Sequence, residues 1–271
     1  LINGKKEPLF PGVFGIFGHG NVACLGQALE ENQKELPTYR GHHEQNMALT
    51  GIGYARAKRR QQIFVATSSV GPGATNMITA AALAYVNRLP VLLLPGDVFA
   101  GRGPDPVLQQ IENFADGTSS VNDCFKPVSR YFDRIARPEQ LLTALPRAFR
   151  VMIDAADCGP ATLSLCQDVQ AEAYDFPVQF FEPNIWSVRR LSPVQSELDV
   201  VSSLIKGANS SVIIAGGGIH YSQATESLRS FAEKHQIQPF THQDSFFDSE
   251  IDAVYVATPH DTHFHYSMEA I

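Results

Sequence analysis

Ile63-Phe-Val-Ala-Thr-Ser-Ser-Val-Gly-Pro-Gly-Ala-Thr-Asn76 is the stretch that decides the fold. Its first half, Ile63 to Thr67, is an apolar run rich in β-branched residues, the composition of a buried strand. Gly71-Pro-Gly73 breaks that run, and the small residues from Ala74 to Val86 predict a helix. Strand, glycine turn and helix in this order form the unit of an open α/β sheet. The turn then falls at the carboxyl end of the strand, where ligands of such sheets bind. Upstream, Arg40-Gly-His-His-Glu-Gln-Asn-Met-Ala48 places Glu44 just ahead of Ala48, Leu49, Ile52 and Ala55, whose spacing predicts a helix from Glu44 to Arg59 against the same sheet. Both motifs are expected to face one crevice.

Working outward, the periodicity predicts a helix from Val22 to Asn32, a short strand near Thr38, and a strand Pro90 to Leu94 buried on both faces. Asp97 to Asp123, rich in Gly, Pro, Asn and Ser, is expected to be loop, and loops of that length inside a compact domain are usually functional. Helix resumes from Pro138 to Ala155, with Leu141, Leu142, Leu145, Ala148 and Phe149 on one stripe, followed by the strand Ala161 to Leu165. Pro and aromatic residues without a period mark 173–193 as a linker. Beyond it, a helix Val194 to Lys206, a strand Ser211 to Ala215, the turn Gly216-Gly-Gly218 and a helix Ser222 to Lys234 open a second α/β unit. The glycine turn lacks the G-x-G-x-x-G spacing of a dinucleotide site and reads as structural.

The chain has 271 residues, 44% of them hydrophobic, enough for one full domain and part of another. A net charge of -7 argues against a nucleic-acid or anionic-membrane surface. Lys58-Arg-Arg60, its one basic run, reads as a helix carboxyl-end cap. No apolar run approaches the roughly 20 residues of a membrane helix, and no signal peptide opens the chain, so a cytoplasmic protein is expected. Cys24, Cys124, Cys158 and Cys166 show neither a CxxC pair nor metal-ligand spacing and are expected to be free thiols. Leu1 opens the chain without Met and Ile271 closes it inside an expected helix; both ends read as cuts.

The two opening motifs, with Gly15-Ile-Phe-Gly-His-Gly-Asn21, Asp105-Pro-Val-Leu-Gln-Gln-Ile-Glu112, Ser120-Val-Asn-Asp123 and Gln167-Asp-Val-Gln-Ala-Glu-Ala-Tyr-Asp-Phe-Pro177, resemble the amino-terminal part of thiamine diphosphate enzymes. Acetolactate synthase is of this kind, and the wording is nearer to the hydrolases of inositol catabolism. The resemblance implies a parallel-sheet pyrimidine-binding domain over 1–172, the linker over 173–193, an incomplete middle α/β domain over 194–240, and an unrelated tail over 241–271. It implies thiamine diphosphate as cofactor. Mg²⁺ is expected only through a separate carboxyl-terminal domain with a Gly-Asp-Gly motif, which these residues do not contain. The substrate implied is a polyol-derived diketone, trihydroxycyclohexane-1,2-dione, opened by C–C bond hydrolysis. The partner implied is a second copy or an intact homologue, since the cofactor of such enzymes lies between two subunits. Without the metal and diphosphate domain, the chain alone is expected to be inactive. A carboligase parent, or a non-catalytic dimerisation module, stands as the alternative.

Residue by residue, the resemblance makes Glu44 the carboxylate that hydrogen-bonds the pyrimidine ring nitrogen; taken alone, a first-turn glutamate facing the helix dipole would serve as well. Gly71, Pro72 and Gly73 are expected at the pyrimidine, with Asn76 bracing the helix or touching cofactor. His19 is a candidate for substrate oxygens, as is Gln110 or its neighbour Gln109. His42 and His43, a histidine pair on a loop, read first as solvated, with reach of one of them into the site as the alternative. In the tail, Asp248 to His265 resembles the Rossmann strand and loop of inositol-dehydrogenase-like oxidoreductases through Ala257-Thr-Pro259, but a strand without its phosphate cradle holds no dinucleotide. It reads as a fused scrap of a neighbouring gene, and His260, His263 and His265 as no metal site.

Overall fold

The structure, a computed structural model, describes residues 6–240 and 253–257. It divides into two compact units, with the boundary between Arg189 and Arg190. In the first unit, six strands form one parallel sheet: β1 (Val13–Gly15), β2 (Thr38–Arg40), β3 (Val65–Ser68), β4 (Leu92–Asp97), β5 (Tyr131–Ile135) and β6 (Ala161–Cys166). Their order across the sheet is β2-β1-β3-β4-β6-β5. Every residue of β3 is buried, as the apolar run requires. The connections are helical: α1 (Gln27–Glu31), α2 (Glu44–Ala57), α3 (Pro72–Thr75), α4 (Ile78–Val86) and α5 (Leu141–Met152). Because β2 and β3 flank β1 on opposite sides and parallel crossovers are right-handed, α1 and α2 lie on opposite faces of the sheet. The chain therefore reverses direction at β1 and β3, and their carboxyl ends splay apart there into a crevice.

On one face, Leu29 of α1 and Ala144, Ala148 and Met152 of α5 share a core with Val13, Val65, Leu92 and Leu163. On the other, α2 packs on α4 through small residues; Ala48, Ala55, Ala80, Ala81 and Ala84 are wholly buried. Tight helix spacing of this kind leaves little room for larger side chains.

Several expected elements differ in detail. The helix expected at 22–32 begins as a π-helical turn, Val22–Gly26, closed by the Gly26 N–H on the Asn21 carbonyl at 2.7 Å. That expected at 74–86 starts earlier, because Pro72 suits a first turn, and breaks at Asn76 and Met77 into α3 and α4. The strand β5 was not anticipated: Tyr131-Phe-Asp-Arg-Ile135 is an edge strand, half-buried through most of its length, so its charged residues mask the apolar pattern.

Those charged residues explain how the long connection before β5 is held. Asp97, at the end of β4, is almost wholly buried; it accepts hydrogen bonds from Ser120, from Ser164 Oγ at 2.6 Å and from Arg134 Nε at 2.7 Å. Arg134 also donates to Asp123 Oδ1 at 2.6 Å, and Asn122 Nδ2 donates to the Gly96 carbonyl and to Ser164 Oγ, both at 2.8 Å. Burial alone would raise the Asp123 carboxyl, but hydrogen bonds from the Ser120 N–H, Lys126 and Arg134 outweigh it and hold the group below the usual carboxylate range.

In the second unit α6 (Gln195–Gly207), α7 (Gly217–Tyr221) and α8 (Thr225–His235) accompany a three-stranded parallel sheet of β7 (Ser211–Ala215), β8 (Gln238–Phe240) and β9 (Ala253–Ala257), in the order β8-β7-β9. The helix expected at 222–234 begins at Thr225, and the expected glycine turn runs into the short α7. Ala253 to Ala257 is the strand expected in the tail. His260, His263, His265 and the Thr258-Pro259 loop lie outside the described residues.

Two outcomes are expected. Burial pushes the Cys158 and Cys166 thiols up to about 12, whereas Cys124 is exposed and Cys24 half-buried. A thiol reagent at neutral pH should modify Cys124 and Cys24 promptly and the other two only on unfolding; four equally fast thiols would contradict the packing. The Asp123 contribution has a definite sign. A carboxyl with a lowered folded value stabilises above its unfolded value of about 3.9, and that stability is lost as pH falls through the lower folded value. Denaturation between pH 7 and 2 should therefore show a smaller acid loss in Asp123→Asn than in the wild type.

Candidate functional site at the carboxyl edge of the sheet

Three chain segments leave the carboxyl edge side by side: 16–21 after β1, 41–44 after β2 and 69–76 after β3. The first is moulded by Asn21, a buried residue. Its Oδ1 accepts from the Gly18 N–H at 3.0 Å, and its Nδ2 donates to the Ile16 carbonyl at 3.0 Å and to Thr67 Oγ1 at 3.2 Å. Thr67 in turn donates to the Leu94 carbonyl at 2.8 Å, so one amide and one hydroxyl join β1, β3 and β4. The Val70 N–H closes the loop onto the His19 carbonyl at 2.9 Å. Gly20, at φ 95°, sits where a Cβ would collide with Val70. His19 thus stands on a braced tip, with its imidazole exposed and without a hydrogen bond to another described residue.

In the third segment, Gly71 has φ 60° and ψ -118°, a conformation for glycine alone, and a Cβ there would strike the Gln109 carbonyl oxygen. The connection 98–112 is therefore seated on the glycine turn. Gln110 fastens it: this wholly buried side chain accepts from the Phe99 N–H at 3.0 Å and donates to Gln167 Oε1 at 3.1 Å. Asp168 adds two bonds, from the Ala100 N–H at 2.8 Å and the Gly101 N–H at 2.7 Å. Gln110 is placed as a brace with its amide engaged at both ends. Pro72 is exposed.

Glu44 opens α2, whose cap is His43: the His43 Nδ1 accepts from the Asn46 N–H at 3.4 Å. The Glu44 carboxylate is half-buried. Its Oε2 accepts a hydrogen bond from Asn76 Nδ2 at 2.8 Å, across 32 positions of sequence. Its Oε1 lies 3.3 Å from the point a Gly73 Cβ would occupy and accepts nothing from another described residue. The same point is overlapped by Ser69 Oγ, and Ser69 Cβ lies 3.1 Å from where a Gly18 Cβ would be. Ser69 is therefore wedged between two glycines, Gly18 and Gly73. A cavity of about 410 Å³ opens beside Glu44, lined by Ile16, Phe17, Arg40, Gly41 and His42.

A glutamate serving the helix dipole alone would need none of this. What marks Glu44 is the clasp from Asn76 on one oxygen, the other oxygen without a partner among the described residues, and a place in the lining of the cavity. The structure brings together Glu44, Gly73 and Asn76, with His43 beside them and His42 at the cavity. Ser69 and Arg40 were not singled out from sequence. The Gly18 and Gly73 pair was the available signal for Ser69, since glycines on neighbouring turns leave room for something between them. A larger cavity of about 570 Å³ lies in the second unit, lined by Ala215, Ile219, Leu228, Ala232 and Ile237 among others. No function-bearing motif reaches it. Among the described residues, no group of three or more His, Cys, Asp or Glu could hold a metal ion, and no helix is long and apolar enough to cross a membrane.

Comparison with known proteins agrees with this fold. Residues 11–116 match the family described as thiamine pyrophosphate enzyme, N-terminal TPP binding domain. The chain is 52% identical over 238 residues to 3D-(3,5/4)-trihydroxycyclohexane-1,2-dione hydrolase 1 of Bacillus cereus, a match covering 88% of this chain and 37% of that protein. The 3D-(3,5/4)-trihydroxycyclohexane-1,2-dione hydrolase of Clostridium tetani is 50% identical over 239 residues, and that of Geobacillus thermodenitrificans 51% over 238, with the same coverage. The first unit carries a thiamine pyrophosphate enzyme N-terminal domain, and the chain spans 37% of the length of these relatives, their amino-terminal part.

A Cβ at Gly73 would overlap Ser69 Oγ and lie 3.3 Å from Glu44 Oε1, so Gly73→Ala should push Ser69 or the carboxylate aside. Thiamine diphosphate affinity should fall at least about tenfold while thermal stability changes by roughly 1–2 kcal/mol. Calorimetry beside thermal melts checks this; unchanged affinity would make the glycine a matter of packing alone.

Proposed function

We propose that the first unit is the pyrimidine-binding half of a thiamine diphosphate site, with Glu44 as the group that meets the pyrimidine ring nitrogen. The observation that carries the proposal is the half-buried carboxylate at the cavity, with Oε2 held by Asn76 and Oε1 accepting nothing from another described residue. The residues suit the group: a flat ring needs an apolar side, a wall it can approach closely and one hydrogen-bonding carboxyl, and Phe17 with Ile16, Gly41, and Glu44 supply these at one cavity.

When bound, thiamine diphosphate supplies the carbon nucleophile and electron sink for C–C bond chemistry. The work of this chain is to hold and orient. Glu44 Oε1 would hydrogen-bond the ring nitrogen and exchange a proton with it, which is general acid–base work at a fixed atom. Phe17 and Ile16 keep water from that contact, and weaker competition from water strengthens it. His19, exposed on its braced tip, offers a donor or acceptor to the oxygens of a hydroxyl-rich substrate. Gln110 acts by fastening the connection 98–112 onto the Gly71 turn.

On this reading the whole protein is a hydrolase that opens a cyclic 1,2-diketone, trihydroxycyclohexane-1,2-dione, in inositol catabolism, and it works in the cytoplasm. The support is the name shared by relatives at 50–52% identity over 88% of the chain. The diphosphate and Mg²⁺ fall to a Gly-Asp-Gly-bearing region, a run these 271 residues do not include. They should bind cofactor weakly and hydrolyse nothing unless a second copy or an intact homologue completes the site.

Calorimetric titration of the 271-residue chain with thiamine diphosphate and Mg²⁺ tests the proposal. Saturable binding with Kd on the order of 0.1–1 mM is expected, weakened at least tenfold in Glu44→Ala. No binding, or equal binding by both proteins, would overturn it.

A further inference from the structure

We infer that Asn76 is a positioning residue for Glu44 rather than a ligand of the cofactor, an inference that rests on the proposed function and assigns the residue a different task within it. Asn76 closes α3, where the expected single helix breaks. Its side-chain nitrogen donates to Glu44 Oε2 at 2.8 Å and lies 3.5 Å from His43 Nε2. The amide therefore stands between the cap of α2 and the residue that follows it. Glutamate at the start of a helix has three rotatable bonds and solvent on one side, and left alone it would sample several rotamers. A donor from a second helix removes that freedom.

The donor also selects between the two carboxylate oxygens. With Oε2 engaged, Oε1 is the one beside Gly73. A preformed orientation matters because a reacting or binding group held in place avoids an ordering cost when the ligand arrives. Asn76 keeps helical backbone angles and its N–H bonds the Pro72 carbonyl at 3.2 Å, so α3 itself sets the direction in which the amide faces α2.

Two variants separate this role from general structure. Asn76→Ala removes the donor. Asn76→Asp keeps the shape but sets a carboxylate against a carboxylate, an arrangement that favours retention of one shared proton. Thermal melts of both confirm folding. Ligand-free crystal structures of the wild type and Asn76→Ala should show the Glu44 carboxylate ordered in the first and turned away from Gly73 or spread over several rotamers in the second. Calorimetry with thiamine diphosphate should show affinity lowered about tenfold in Asn76→Ala, the loss expected for one hydrogen bond to a charged group. Asn76→Asp should lose at least as much at pH 8 and recover part of it at pH 6, a pH dependence the alanine variant lacks.

An unmoved Glu44 in Asn76→Ala would overturn the inference whatever the binding data show. Failure of the wild type to bind thiamine diphosphate would instead overturn the proposed function, and the ligand-free structures would still decide the role of Asn76. Should Asn76→Ala not fold, the Asn76→Asp structure and its pH profile decide: wild-type Glu44 geometry with wild-type affinity at both pH values would refute positioning.

Discussion

Close approach of the turns that follow β1 and β3 is the constraint on which the site depends. The two turns meet at a point where side chains have been removed from one and inserted by the other: Gly20 yields to Val70, and Gly18 yields to Ser69. Asn21 and Thr67 then lock the approach with hydrogen bonds inside the protein, where a lost partner costs more than at the surface. Once the turns are fixed, the amino end of α2 arrives beside them because β2 pairs next to β1. Glu44 is thereby delivered to Asn76 without any sequence proximity between the two.

The geometry divides labour among polar residues that resemble one another in sequence. Asp97, Asn122 and Arg134 form a buried hub that ties the long connection to the sheet. Removing one partner from such a hub strands the others in a low-dielectric interior, at about 3–5 kcal/mol for a buried charge. Gln110 and Asp168 do similar work nearer the edge. Glu44 differs, since only one of its oxygens is engaged by a described residue. Glu112 and Asp133 are also engaged through one oxygen, so what sets Glu44 apart is that asymmetry together with its place in the lining of the cavity.

Much of this was legible in the sequence, and the reasons are specific. The alternation of apolar strand and small-residue helix around Gly71-Pro-Gly73 needed only local rules, and a buried parallel sheet follows from uninterrupted runs such as Val91 to Leu94. Glu44 was legible through the helix start it marks. β5 was not, because an edge strand carries Asp133 and Arg134 without penalty and its pattern then imitates a loop. Nor was the task of Gln110, since burial of an amide depends on which carbonyls and N–H groups surround it, and these come from residues 99 and 167. The clasp of Asn76 on Glu44 was invisible for the same reason: it joins residues of two helical segments 32 positions apart.

A crystal structure of the chain grown with thiamine diphosphate and Mg²⁺ tests the central claim most directly. The account predicts the pyrimidine ring beside Gly73 with its ring nitrogen within hydrogen-bond distance of Glu44 Oε1, while Asn76 keeps its hold on Oε2. A pyrimidine ring bound elsewhere, or bound there with Glu44 turned away, would contradict it.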